Sequence, residues 1–276
     1  MFFKLIALDI DGTLTNSSKV ITAETRQTLL DYQKSGGRVV LASGRPTHGI
    51  IPYAEILELE RYGGYILSYN GGCIIDCGSG EVVYRNKLPL RYVPEICGII
   101  KDYPVGINTY KGNSIVVGNQ INKYTELEAR INRMDIEFAD DFAGFVDFDI
   151  TKCLLHGEPE VISELENILS SKYRGELGIF KSEPFFLEIV PDGVDKAKSI
   201  DRLMKMLGLR TEECIACGDG FNDITMLEYA GLGVAMSNAS STVKTAADYV
   251  TRSNDENGIA YLLCRLSNKE MPCCAR

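Results

Sequence analysis

Two aspartates, two residues apart, end the first apolar segment of the chain. Asp9 and Asp11 follow the run Lys4–Leu8 and precede Gly12. A short, nearly unbroken apolar run is typical of a strand buried on both faces of a parallel sheet, and residues i and i+2 share one side. Both carboxylates can therefore face one small volume at the carboxyl end of the strand, where open α/β sheets bind ligands. Close carboxylates repel each other unless a cation or a shared proton intervenes, so the pair favours a hard divalent ion, with Mg2+ as the natural candidate. Taken alone, the pair also fits a capped strand end with ordinary turn acids.

A second strand pattern ends in a group suited to an oxyanion. The helical pattern that ends near Lys34 is followed by the buried strand Arg38–Ala42 and then by Ser43 and Gly44. Strand, helix and strand form a βαβ unit with parallel strands, so Ser43 should lie beside Asp9 at one edge of the sheet. A hydroxyl and backbone N–H groups can receive phosphate oxygens, although an ordinary strand-to-helix turn fits these residues equally well.

The last third of the chain supplies a lysine and two further acids. Lys196 stands at the start of a helical pattern, and the strand Cys214–Cys217 runs into a loop that contains Asp219 and Asp223. Alone, this loop also fits a helix start with acids that complement the dipole. Together with Asp9 and Asp11, however, these groups suit phosphoryl transfer, in which a metal neutralises carboxylates and phosphate and a carboxylate attacks phosphorus. The chain contains neither a P-loop nor a G-x-G-x-x-G sequence.

The distribution of elements predicts two domains. Parallel-sheet patterns occupy both ends of the chain, whereas the middle alternates helices with pairs of short strands. We therefore predict the α/β class, with a parallel core formed by residues 1–85 and 189–276 and an α+β insert formed by residues 86–188. One helix is expected from His48 to about Glu60, and the acids between Asp135 and Asp149 are expected on a solvated face.

Composition excludes several classes of protein. The net charge is −9 and the pI about 4.9, without a basic patch, which argues against binding to nucleic acid. No segment has the apolar length needed to cross a bilayer, so no membrane association and a cytoplasmic location are expected, with a monomer as the simplest assembly. The nine cysteines are irregularly spaced and are expected to be reduced. Cys214 and Cys217 should point to opposite faces of their strand and not form a redox pair.

Four segments, in order, carry a family resemblance over nearly the whole chain. The sequence resembles the haloacid dehalogenase superfamily, and within it the Cof-type phosphatases that carry a C2-type cap. The matching segments are Asp9-Ile10-Asp11-Gly12-Thr13-Leu14, Leu41-Ala42-Ser43-Gly44-Arg45, Lys196, and Gly218–Asp223. The resemblance implies a Rossmann-like core with helices on both faces and an inserted cap domain.

The resemblance also implies a role for each matching residue. Asp9 would be the nucleophile, and Asp11 would protonate the leaving alcohol and then activate water. Mg2+ would bind Asp9, the backbone carbonyl of Asp11 and Asp219, with Asp223 in support. The groups expected to hold phosphoryl oxygens are Ser43, Lys196, Asn222 and the amides of Ile10 and Gly44. Arg45, Asn70 and the cap loop Tyr110–Asn113 are expected to reach the leaving group.

The implied activity is a Mg2+-dependent phosphatase acting on small phosphorylated metabolites, with sugar phosphates expected, through an aspartyl-phosphate. Asp11 favours turnover, because transport ATPases of the superfamily carry threonine at that position. Ser43 stands where threonine is commoner, which keeps the hydroxyl. Two alternatives remain open: a phosphomutase of the same superfamily, and a non-catalytic protein that binds a phosphorylated ligand.

Overall fold

The computed structural model describes residues Phe3–Asn268, which form two compact units. The first unit comprises the chain up to Gly44, the segment Ile50–Tyr84 and the chain from Asp195 onward. The second comprises Arg45–Gly49 and Arg85–Val194. These bounds differ from the expected division at residues 85 and 189. The strand Phe186–Pro191 pairs within the second unit, so the return to the first falls after Val194.

Strands and helices are numbered here along the whole chain. The strands are β1 Leu5–Leu8, β2 Arg38–Ala42, β3 Tyr65–Ser68, β4 Cys73–Asp76, β5 Val82–Arg85, β6 Gly106–Lys111, β7 Ser114–Gly118, β8 Asp135–Phe138, β9 Cys153–His156, β10 Leu177–Glu183, β11 Phe186–Pro191, β12 Cys214–Gly218, β13 Leu232–Ala235 and β14 Tyr249–Val250. The helices are α1 Ala23–Lys34, α2 Thr47–Ile56, α3 Leu59–Tyr62, α4 Tyr92–Ile100, α5 Lys123–Asn132, α6 Phe142–Phe145, α7 Pro159–Lys172, α8 Lys196–Met206, α9 Ile224–Tyr229, α10 Ser241–Ala246 and α11 Gly258–Ser267.

The first unit is built on an eight-stranded sheet with the order β14-β13-β12-β1-β2-β3-β4-β5. The strands from β14 to β3 are parallel, and β4 runs antiparallel to β3. The α/β class predicted from the sequence is confirmed. Because β1 lies between β2 and β12, the carboxyl ends of these three strands meet at one edge of the sheet.

Alternating side chains of the central strands pack under helices on both faces. Ile6 and Leu8 pack with apolar residues of α1, α2 and α11, whereas Leu5 and Ala7 pack with residues of α8, α9 and α10. Because both faces of β1 are buried, every position of this strand requires an apolar residue, which explains the unbroken apolar run. The same alternation separates Cys214 from Cys217, which lie on opposite faces as predicted.

The prediction of a single helix from His48 to about Glu60 is wrong. Helix α2 ends at Ile56, Glu58 adopts a left-handed conformation with φ of 53°, and the short helix α3 follows. Leu57 still donates its amide hydrogen to the carbonyl of Tyr53, so the break falls at Glu58 itself. A left-handed residue cannot continue a right-handed helix.

The second unit contains a six-stranded sheet with the order β10-β11-β9-β6-β7-β8. Its described pairs are antiparallel except for β7 with β8. Helices α4, α6 and α7 cover one face, while Ala129 of α5 packs on the other face with Ile115 and Val117. Strand β8 lies in the acidic segment expected to be solvated, and all four of its residues are exposed.

Helices long and apolar enough to cross a bilayer do not occur between Phe3 and Asn268.

Candidate active site

The loops that follow β1 and β12 meet the first residue of α8 in the first unit. Asp9 and Asp11 follow β1, and Asp219 and Asp223 follow β12. Lys196 opens α8, whose preceding residue, Asp195, caps the helix by accepting the amide hydrogen of Lys198. The parallel order of the sheet therefore brings together residues from the two ends of the chain.

Lys196 joins two of the four aspartates. Its Nζ atom donates to Oδ1 of Asp9 at 2.8 Å and to Oδ1 of Asp223 at 2.6 Å. The Lys196 side chain is fully buried, and Asp9 is only 7% exposed. Ions in such a setting are held only where their charges are paired and hydrogen-bonded.

Asp223 also organises the loop in which it lies. Its Oδ2 atom accepts the amide hydrogens of Asp219, at 3.0 Å, and of Gly220, at 2.8 Å. Its two oxygens are thus engaged by Lys196 and by the loop backbone. The supporting role at the metal that the resemblance implies for Asp223 stays a prediction.

Asp219 is oriented by residues to which the sequence interpretation gave no role. The Thr13 hydroxyl donates to its Oδ1 at 2.7 Å, and Nδ2 of Asn238 lies 3.4 Å from its Oδ2. Asn238 also donates to the carbonyl of Gly12 at 2.9 Å. Gly12 has a φ of 82°, and a Cβ atom there would lie 2.3 Å from Oδ2 of Asp219. Glycine is therefore required by both backbone conformation and space.

Burial and mutual repulsion disfavour ionisation of these aspartates. Burial raises the pKa of Asp9 to about 8; Asp223 adds to the rise and Lys196 opposes it. Burial likewise raises the pKa of Asp219 to about 6, against the effect of the Thr13 hydrogen bond. Burial alone would lower the pKa of Lys196, but the carboxylates of Asp223 and Asp9 raise it above its ordinary value. Lys196 therefore stays positively charged, but its single charge does not neutralise all of the surrounding carboxylates.

This imbalance fits a bound cation. One carboxylate oxygen from each of Asp9, Asp219 and Asp223 lies within 4.8 Å of the other two. Carboxylate oxygens are the donors that hard divalent ions prefer. A cation beside Asp9 and Asp219 would reverse the effects that raise their pKa values. The donor set therefore fits the implied metal.

Asp11 lies outside this carboxylate group, although it is only two residues from Asp9. Its Oδ1 accepts from Nζ of Lys19 at 2.7 Å, and its side chain is 37% exposed. Lys19 has a left-handed backbone with φ of 60°, in a loop closed by hydrogen bonds from the amides of Ser18 and Val20 to the Asn16 side chain. The sequence interpretation overlooked Lys19, because no pattern connects it with Asp11.

Of the remaining predicted residues of the first unit, Ser43, Asn70 and Asn222 form a second hydrogen-bonded group. Asn222 donates from Nδ2 to Oδ1 of Asn70 at 3.0 Å, and the Asn70 amide donates to the Ser43 carbonyl at 2.9 Å. An added Cβ on Gly44 would lie 3.1 Å from Oδ1 of Asn70. Ile10 is fully buried, and its carbonyl accepts from Thr15.

Arg45 belongs to the second unit, although it follows Gly44 directly in the chain. Its Nη1 atom donates to the carbonyl of Ile131 at 3.2 Å. Its charge also acts on Glu128, where burial raises the carboxyl pKa and Lys152 and Arg45 oppose the rise.

The sheet of the second unit buries a group of polar side chains that we call the polar cluster: Asn108, Tyr110, Glu128, Lys152 and Glu188. Lys152 and Glu188 form an ion pair of 2.7 Å, and the Tyr110 hydroxyl donates to Glu128 at 2.7 Å. Asn108 and Glu188 are cross-strand neighbours of Leu154 on the same face of the sheet. Asn108 is fully buried, and its side chain interacts with the Tyr110 hydroxyl, where it opposes the rise in the Tyr110 pKa that burial causes.

Comparison with known proteins places the chain in a family. A family model described as haloacid dehalogenase-like hydrolase matches residues 6–263. A haloacid dehalogenase-like hydrolase from Bacteroides thetaiotaomicron has a similar structure, with a TM-score of 0.92 and 46% identity, covering 96% of this chain and 99% of that one. The subclass IIB sugar phosphatase BT4131 has a TM-score of 0.81 and 27% identity, covering 96% of this chain and 99% of its own.

A curated relative gives the same result. The 5-amino-6-(5-phospho-D-ribitylamino)uracil phosphatase YcsE of Bacillus subtilis is 31% identical over 257 residues, which cover 93% of each chain. The chain belongs to the haloacid dehalogenase-like hydrolases, which confirms the resemblance found in the sequence. It is a phosphatase of that superfamily.

Proposed function

We propose that the protein is a Mg2+-dependent phosphatase that hydrolyses small phosphorylated metabolites, in particular sugar phosphates, through an aspartyl-phosphate on Asp9. The observation that carries this proposal is the buried contact of Lys196 with Asp9 and Asp223, beside Asp219. It combines a carboxylate nucleophile, a fixed positive charge and oxygen ligands for a divalent ion in one small volume.

The proposed metal ligands are the carboxylates of Asp9 and Asp219 and the backbone carbonyl of Asp11, with Asp223 in support. When bound, Mg2+ would neutralise the charge of the carboxylates and of the phosphoryl group. Thr13 and Asn238 would hold Asp219 in the required orientation through their contacts with its two oxygens.

In the proposed reaction, a carboxylate oxygen of Asp9 forms a bond to phosphorus as the bond to the leaving oxygen breaks. Asp11 in its protonated form gives a proton to that oxygen and then, as a carboxylate, takes a proton from the water that attacks the aspartyl-phosphate. This second displacement releases inorganic phosphate and restores the Asp9 carboxylate. The groups proposed to bind phosphoryl oxygens are Ser43, Lys196, Asn222 and the amides of Ile10 and Gly44.

The substrate class draws support from the polar cluster of the second unit. The Asn108 amide carries both a donor and an acceptor, a combination that matches a hydroxyl group, which is itself both. We propose that the polar cluster, together with Arg45 and the loop Tyr110–Asn113, binds the hydroxyl-bearing part of the substrate. The names of two relatives point the same way, since one is a sugar phosphatase and the other acts on a phosphoribitylamino compound.

Two alternatives differ from a phosphatase in what becomes of the phosphoryl group. A phosphomutase would return the phosphoryl group to a substrate molecule, and a non-catalytic protein would bind the phosphorylated ligand unchanged. Equal release of phosphate and alcohol excludes the mutase. A monomeric state, a cytoplasmic location and the absence of nucleic-acid and membrane partners remain predictions from the sequence.

The test is phosphate release from a panel of sugar phosphates with Mg2+, with EDTA and with the Asp9→Asn variant. We expect release that requires the metal and is lost in the variant. Asp31→Asn, on the exposed surface of α1, is the matched control and should retain full activity. A folded, metal-loaded protein that releases no phosphate from any ester would refute the phosphatase proposal.

A further inference from the structure

The connection between β3 and β4 is a left-handed turn. Tyr69 and Asn70 both have a φ of 56°, and Gly71 follows with a φ of 91°. Glycine adopts this conformation readily, whereas two consecutive residues with side chains adopt it at a cost in conformational energy. Strained backbone persists where surrounding contacts hold it, and such segments concentrate at functional sites.

The contacts of this turn reach three elements of the candidate active site. The Asn70 amide donates to the carbonyl of Ser43 at the end of β2, at 2.9 Å. Oδ1 of Asn70 accepts from Nδ2 of Asn222 at 3.0 Å, in the loop that follows β12. The Ser199 hydroxyl donates to the Gly71 carbonyl, and Ser199 lies one turn after Lys196 in α8.

The left-handed conformation places one side chain between two loops. An added Cβ on Gly44 would lie 3.1 Å from Oδ1 of Asn70, so Asn70 packs directly on the loop after β2. The same oxygen accepts the Asn222 hydrogen bond, and Asn70 is only 5% exposed. Because Oδ1 is engaged with Asn222, the Asn70 side chain fixes the direction in which the Asn222 amide points.

We propose that Asn70 is a positioning residue for the phosphoryl-binding groups and does not itself contact the substrate. It acts through Asn222, and the left-handed turn holds the ends of β2, β12 and α8 in a single arrangement. This inference rests on the proposed phosphatase function, and it replaces the sequence interpretation in which Asn70 binds the leaving group.

A double-mutant cycle tests the proposal. Asn70→Gly keeps the left-handed backbone accessible but removes the side-chain acceptor, and Asn222→Ala removes the group that Asn70 orients. We expect each variant to lower kcat/KM for a sugar phosphate by about 10- to 100-fold, mainly through kcat. The double variant should be no worse than Asn222→Ala alone, because Asn70 has no effect without Asn222. Effects that multiply would show that Asn70 acts independently of Asn222 and would overturn the proposal.

A purely structural role gives a different result. It would lower the melting temperature of Asn70→Gly and leave kcat/KM unchanged below that temperature, which also overturns the proposal. Asn257→Gly is the matched control, because Asn257 has a φ of 55° and hydrogen bonds to Thr22 and Glu24. This control should retain the kcat/KM of the unmodified protein.

A second readout separates failure of this inference from failure of the proposed function. The unmodified protein, Asn70→Gly, Asn222→Ala and the double variant are titrated with inorganic phosphate in the presence of Mg2+. Calorimetry measures the dissociation constants. Non-additive weakening of phosphate binding supports the role of Asn70 even if no ester is hydrolysed. If the unmodified protein binds no phosphate and hydrolyses no ester, the phosphoryl site and the role of Asn70 both fail.

Discussion

Nζ of Lys196 lies 2.8 Å from Oδ1 of Asp9, although 187 residues separate the two in the chain. Both side chains are buried, and the lysine also contacts Asp223. The pair therefore links the proposed nucleophile to the positive charge that would stabilise the phosphoryl group. It also makes the stability of the first unit depend on a group needed for activity.

Lys196→Met should impair both activity and stability. Without the ammonium, Asp9 and Asp223 remain buried as uncompensated acids, and the phosphoryl group loses a fixed positive charge. We expect kcat to fall by about 10²- to 10³-fold and the free energy of unfolding to fall by about 3 kcal/mol. Steady-state kinetics and urea unfolding measure the two effects.

Lys205→Met provides the control on the same helix. Lys205 is exposed and pairs with Asp201 four residues earlier, so its replacement should leave kinetics and stability unchanged. A Lys196→Met variant with normal kcat would contradict the role assigned to the buried ammonium.

Gly12→Ala should weaken metal activation. The added methyl group would lie 2.3 Å from Oδ2 of Asp219, and the φ of 82° is unfavourable for alanine. We expect at least a tenfold higher Mg2+ concentration for half-maximal activity, because Asp219 must move. Titration of phosphatase activity with Mg2+ measures this change.

Gly36→Ala separates backbone strain from displacement of Asp219. Gly36 has a φ of 96°, but a Cβ there would meet nothing within 4 Å. This variant should lose about 1 kcal/mol of stability and keep its response to Mg2+. If both variants respond alike to Mg2+, the clash with Asp219 is not the cause.

Asn108→Leu distinguishes a binding role of the polar cluster from a structural one. Leucine has a shape similar to that of asparagine and carries no polar group that burial must desolvate, so the melting temperature should stay equal or rise. If Asn108 binds a substrate hydroxyl, KM for sugar phosphates should rise about tenfold, whereas hydrolysis of p-nitrophenyl phosphate should be unaffected. An unchanged KM for every sugar phosphate would remove Asn108 from the substrate site.

His156 should make stability depend on pH. This buried side chain of β9 lies 3.1 Å from Oδ1 of Asn122, and burial lowers its pKa from 6.5 to about 4. The folded state therefore binds fewer protons than the unfolded state between these values, so stability is full above pH 6.5 and declines as pH falls towards 4. We expect the contribution of His156 to lower the free energy of unfolding by about 2 kcal/mol when the pH falls from 7.5 to 5.

The measurement compares urea unfolding of the unmodified protein with His156→Gln at both pH values. The variant should lose less stability on acidification, because the glutamine does not titrate. Equal losses in the two proteins would mean that His156 is protonated in the folded state.

The strand ends could be predicted from the sequence because a parallel sheet brings them to one edge. Asp9 and Asp219 each follow an apolar run of a few residues, and that pattern is enough to align their strands. The hydroxyl of Thr13 and the amide of Asn238 were not assigned roles, since their importance lies in side-chain contacts that have no local pattern. Lys19 was missed for the same reason.

The domain limits were less predictable for a different physical reason. Ile189–Pro191 have the apolar character of a core strand, and it is strand pairing, with β10 and at Ile189 also with β9, that assigns them to the second sheet. Strand β8 was not predicted from the sequence, because its side chains are exposed and acidic residues alternate with apolar ones. The break at Glu58 depends on one left-handed residue within a sequence of ordinary helix formers.

The position of β1 between β2 and β12 has a consequence for synthesis of the protein. Thr13 leaves the ribosome 206 residues before Asp219, the residue to which it donates. At about 5–20 residues per second, this interval lasts about 10–40 s. During that time β1 lacks its neighbour β12, so the nascent chain carries an apolar strand with one open edge. Catalytic competence therefore arises only after β12 and the loop that follows it have been synthesised.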